Sequence, residues 1–140
     1  MPYEWGIDHA SRVIHVRGRG EGTTADTLRL IEQLRDHLRT HADYDFLYDS
    51  LELRIQSSPA DMMQVANALF RDLGVRFRRF AIVVPPGRVG LARIFAALAH
   101  PFGVSANVFA DVESARDWLA VRPGRGPEKP PDPGQEPPQR

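Results

Sequence analysis

Tyr3, Trp5 and Ile7 alternate with Glu4, Gly6 and Asp8, the two-residue period of a half-buried strand. His9-Ala10-Ser11 reads as a short hairpin-like link to a second strand over Arg12 to Arg17, centred on Val13, Ile14 and Val16. Gly18, Gly20 and Gly22 are expected to break that strand. The period then changes. Leu28, Ile31, Leu34 and Leu38 form one stripe of a helix predicted over Thr24 to Arg39, and Thr23 with Asp26 makes a capping-box-like start.

Phe46-Leu47-Tyr48, within Asp45 to Asp49, is a short apolar run suited to a buried parallel strand. Ser58-Pro59-Ala60-Asp61 supplies a helix N-cap, a proline at the first helical position and a carboxylate at the third. Met62, Val65, Ala66 and Leu69 follow on one face, and Gly74 is expected to end this helix. Phe80-Ala81-Ile82-Val83-Val84 is the strongest strand, stopped by Pro85-Pro86-Gly87. A third helix from Val89 to His100 carries Leu91, Ile94, Phe95 and Leu98, and Pro101 ends it. Val104 to Phe109 gives a last strand, and Asp111 caps a short helix containing Ala115, Trp118 and Leu119. The order ββαβαβαβα predicts an α/β domain over residues 1–121: a mixed sheet of five strands packed by four helices. The first two strands should be antiparallel and the rest parallel, with right-handed crossovers.

From Pro123 to Arg140, seven of 18 residues are proline and three are glycine, so residues 122–140 are expected to form a disordered tail. The 140-residue chain balances 18 basic against 18 acidic side chains, which argues against a nucleic-acid-binding face. With no cysteine it has no disulfide, thiolate nucleophile or cysteine-ligated zinc, in keeping with a cytoplasmic location. The start lacks the pattern of a signal peptide, and no apolar run reaches the length of a membrane span.

Ser57 and Ser58 are the leading candidate site residues. Hydroxyls at a helix start can cap the helix or carry a phosphate, since both uses draw on free amides and the positive helix end. Asp49 and Ser50, read as the carboxyl end of the third strand, and Gly87 and Arg88 after the fourth, form a candidate binding edge. Ligands of open α/β sheets favour the crevice outside that edge. Arg71, Arg76, Arg78 and Arg79 read either as an acidic-partner or lipid-headgroup site or as a solvated connection. His37 and His41 lack the further ligands a metal site needs. Met62, Met63, Phe70, Phe77, Phe95 and Phe102 suit either an adaptable apolar pocket or plain core. No nucleophile elbow, phosphate loop or dinucleotide fingerprint is present, so neither catalysis nor a cofactor is expected.

The element order and the serine pair resemble the STAS family, the fold of bacterial anti-sigma-factor antagonists and sulfate-transporter tails. Phe46-Leu47-Tyr48-Asp49 is similar to the strand that precedes the family's Asp-Ser-Ser/Thr-Gly motif, and Gln56-Ser57-Ser58-Pro59 stands in the motif's place. Gln56 replaces the family aspartate and Pro59 the family glycine. The runs Phe80 to Val84, Gly90 to Phe95, Val108-Phe109 and Ala115 to Leu119 resemble a divergent, uncharacterised branch. The resemblance implies a regulatory module with a phospho-switch at Ser57 or Ser58 and a kinase or anti-sigma-like protein partner. The branch also resembles lipid-carrying folds, which implies, as the alternative, a carrier or sensor of a small hydrophobic ligand.

Overall fold

Chain order and sheet order coincide in the computed structural model, which describes residues 2–121. Strands β1 (Tyr3–Asp8), β2 (Val13–Gly22), β3 (Asp45–Ile55), β4 (Arg79–Val83) and β5 (Ser105–Phe109) lie side by side in that sequence. β1 pairs antiparallel with β2, and the three remaining pairs are parallel. Helices α1 (Thr24–Thr40), α2 (Pro59–Ala66) and α3 (Val89–Ala99) are the crossovers. Crossovers of one hand, all stepping the same way across a sheet, must all lie on the same face. Accordingly Leu34, Leu38, Leu69 and Phe95 share one core with Ile14, Phe46 and Phe80. Helix α4 (Val112–Ala120) covers the other face, where Ala115 and Leu119 pack on Val13, Leu47, Ala81 and Val83.

The expected mixed sheet and four helices are present, but two strands are longer than the sequence reading. β2 continues through its glycines to Gly22, with a register shift against β3 between Arg17 and Arg19. A Cβ on Gly18 would lie 3.0 Å from the Tyr3 ring and 3.1 Å from Leu53, so glycine permits a close approach there. Gly20 takes a positive φ of 77°. These residues bend the strand and shift its pairing instead of ending it. β3 runs to Ile55, whereas β4 pairs with it only as far as Asp49. Asp49 and Ser50 are thus mid-strand, at the point where β4 stops, which corrects their placement at the strand end.

The helix starts follow the sequence. Thr23 and Asp26 form a reciprocal capping box, as do Ser58 and Asp61, and Asp111 Oδ1 accepts from the Ser114 N–H. The backbone N–H of Thr23 holds the Asp26 carboxyl below its usual pKa, and that of Ser114 does the same for Asp111. Beyond α2 the helix widens into a π-helical stretch over Asn67–Asp72, which buries both Leu69 and Phe70.

Arg78 and Arg79 are structural, so of the readings open for the basic cluster neither applies to these two. Arg78 grips the fully buried Asp45 carboxylate through Nε (2.8 Å) and Nη2 (3.0 Å). It also donates to the carbonyls of Leu119 (2.6 Å) and Val121 (3.0 Å), while Arg79 donates to that of Trp118 and lies over its ring. Two guanidinium groups therefore close the C-terminal end of α4, whose last carbonyls have no helical partner. The tail expected over 122–140 lies outside the described residues.

Candidate functional site

Three helices laid over one sheet face leave a cavity of about 120 Å³ between them and the strands. Phe46, Phe80 and Ile82 form its floor, and Leu34, Leu38, Leu69 and Phe95 wall its inner end, all buried. The half-buried lining residues are Thr24, Thr27, Tyr48, Ile55, Ser57, Met62, Arg88 and Leu91. Most of them stand at helix starts or at the end of β3. The mouth therefore opens at the carboxyl edge of the parallel strands, where α/β folds place their ligands. One end of the space is hydrocarbon, and the other carries hydroxyls and a guanidinium.

Arg88 owes its position to the mismatch between β3 and β4. Beyond Asp49, β3 has lost its neighbour, and its carbonyls on that side need other donors. Arg88 Nη2 donates to those of Ser50 (2.6 Å) and Leu53 (2.7 Å). Ser50, fully buried, donates its hydroxyl to the Val83 carbonyl at 2.9 Å. The Tyr48 hydroxyl bonds that of Tyr3 (3.0 Å), which bonds Thr27 Oγ1 (2.9 Å). Burial, aided by the Tyr3 hydroxyl, pushes the Tyr48 phenol well above its ordinary pKa of 10, so it is a neutral hydrogen-bonding group.

The structure brings Ser50, Ser57 and Arg88 together around the cavity and separates the other candidates from it. Ser58 is exposed at the helix start, where its hydroxyl accepts from the Asp61 N–H at 3.1 Å and the Asp61 carboxylate accepts from the Ser58 N–H at 2.8 Å. Ser57 makes no such bond and lines the cavity. Asp49 alternates with Tyr48 and Ser50 along β3, which turns it toward the opposite face, near Arg17 (3.9 Å). Gly87 is an exposed turn residue outside the lining. Of the six residues proposed for an apolar pocket, Met62 and Phe95 line the cavity. Phe70, Phe77 and Phe102 belong to an adjoining aromatic cluster, and Met63 is 49% exposed. His37 lies beside the Trp5 ring and His41 beside His9 and Tyr44. Among the described residues no cluster could hold a metal ion, and no helix is long and apolar enough to cross a membrane.

The Ser58 box sets a prediction. Ser58→Ala should cost about 1 kcal/mol of unfolding free energy in urea, because it removes the cap. Ser57→Ala should stay within about 0.5 kcal/mol of wild type, since its hydroxyl has no hydrogen-bond partner among the described residues.

A mixed sheet with an N-terminal hairpin and sequential crossovers on one face defines a STAS-like fold. The chain belongs to the SpoIIAA-like family, whose family model matches residues 13–120. No curated protein matches the sequence. Among solved structures, it is similar to an uncharacterised protein of the DUF3478 family from Shewanella loihica PV-4, which has a SpoIIAA-like fold. The two share 21% identity over 84% of this chain and 93% of that one, with a TM-score of 0.58, a likeness of fold alone.

Proposed function

We propose that this SpoIIAA-like module is a non-enzymatic, cytoplasmic binding protein that holds a small hydrophobic ligand between its sheet and helices α1–α3. The cavity carries this reading. A buried apolar space costs stability, because its walls lose contacts they would otherwise make. Dry cavities of about 150 Å³ with similar walls accept benzene, so a space of this size suits a single ring or a short alkyl chain. Its mouth at the strand ends gives the ligand a route that leaves the sheet intact.

Ala92 is buried and lines the cavity, so Ala92→Leu should fill it. Toluene followed by methyl NMR should shift resonances of Leu34, Leu69 and Ile82 in the wild-type protein and leave them unmoved in this variant. Unperturbed wild-type spectra at saturating toluene would contradict the proposal.

A second reading is favoured by the exposed start of α2. Ser58, Pro59, Ala60 and Met63 are all exposed there, beside the cavity mouth. This supports a protein-contact surface at the position where STAS modules carry their switch. A phosphate on Ser58 would displace the hydroxyl from its cap and confront Asp61, so it would alter this surface directly. Intact-mass analysis of protein isolated from its own cells, with and without phosphatase, tests for that form. A single unmodified mass would remove the switch from the reading.

A further inference from the structure

We infer that the ligand of this cavity is a hydrophobic carboxylate, bound tail-inward with its charged head at the mouth beside Arg88 and Ser57. The inference rests on the ligand-binding reading above and concerns the chemistry of the head. Arg88 is the one charged residue among those lining the cavity, and no carboxylate pairs with it among the described residues. Most other arginines in the described chain that make side-chain bonds reach an aspartate or glutamate, as Arg12, Arg17 and Arg29 do. Two backbone carbonyls hold Arg88 Nη2 in place, so the guanidinium is positioned without being neutralised. Its Nε and Nη1 N–H groups donate to no acceptor among the described residues. The hydroxyl of Ser57 is likewise without a protein partner there. A half-buried cation beside hydrocarbon gains from an anion more than an exposed one does, because water screens it less.

The surroundings also set the charge of the head. Asp26 and Asp61 stand in the capping boxes of α1 and α2, at the two helix starts that contribute Thr24 and Ser57 to the mouth. Both carboxylates accept from the backbone N–H of their caps and neither lines the cavity, so the one guanidinium there matches a single negative charge and would leave the second charge of a phosphate monoester without a partner. Behind the mouth the walls are aliphatic and aromatic to the inner end, which suits a tail without polar groups. A carboxylate on a short alkyl or phenylalkyl chain meets all three demands. The Tyr48 hydroxyl, neutral and already bonded to Tyr3, adds no charge to the balance.

Isothermal titration with octanoate and with 1-octanol, which share a chain and differ in the head, separates this inference from the reading beneath it. Wild-type protein is expected to bind both, octanoate at least about tenfold more tightly, as a hydrogen bond to a charged group implies. Arg88→Gln should erase that preference while retaining octanol binding. Because Arg88 also supports β3, Ser57→Asp provides an independent variant: it leaves the guanidinium's carbonyl bonds alone and should weaken octanoate about tenfold through like-charge repulsion, with octanol little changed. Equal wild-type affinities for the two probes, or an octanoate preference that survives both substitutions, would overturn the carboxylate and leave the cavity reading standing. Binding of neither probe would overturn both.

Discussion

Arg78→Met should lower the unfolding free energy by about 3–5 kcal/mol, the cost of breaking a buried ion pair by removing one member. The Asp45 side chain is fully buried, and Arg78, 21% exposed, neutralises it with two hydrogen bonds. Removing the guanidinium also strips donors from the Leu119 and Val121 carbonyls, so α4 should lose one of its two arginine anchors at the same time. Urea unfolding gives the free energy, and amide exchange at Trp118 and Leu119 reports the local loosening. Pairing Arg78→Met with Asp45→Leu should recover much of the loss, since the buried charge goes with it. A single-variant loss below about 1 kcal/mol would mean that water takes over the role of Arg78.

Phe80→Ala should cost a comparable amount, about 3–5 kcal/mol, and should change what the cavity accepts. Phe80 stacks on Phe46 with centroids 4.6 Å apart and also meets Phe70, Phe77 and Phe95. It is part of the cavity floor, so truncation adds volume directly to the ligand space. Naphthalene, whose fused rings are broader than the single ring or alkyl chain that suits the wild-type cavity, should then bind and restore part of the lost melting temperature by mass action. If the variant melts lower and naphthalene leaves that melting point unmoved, the neighbouring rings have collapsed into the gap.

Local signals carried the architecture. The alternation at Tyr3–Asp8, the apolar run at Phe80 and the caps at Thr23, Ser58 and Asp111 each act within a few residues, and each appears as expected. The lengths of β2 and β3 were less legible. Gly18 and Gly22 look like punctuation until Leu53 is packed against the strand. Leu53 and Ile55 alternate with Glu52 and Arg54, a signal that could have extended β3. Arg78, Arg79 and Arg88 are ordinary arginines in the sequence, because the carbonyls they satisfy lie 35 to 43 residues away. The candidate serines were found by their place before a helix. The cap at Ser58 was legible beforehand, and only the folded chain puts Ser57 at the cavity. A cavity is what three helices fail to fill, and no run of residues encodes it locally.

The coincidence of chain order and sheet order bears on how the molecule assembles. Every strand pairs with the one made just before it, so no pairing waits for a distant segment. Each parallel step closes a loop containing only one helix and its connections, which keeps the sequence separation of contacts low for a largely parallel sheet. Such a chain can build from its N-terminal hairpin outward as it leaves the ribosome, each new strand finding an edge already formed.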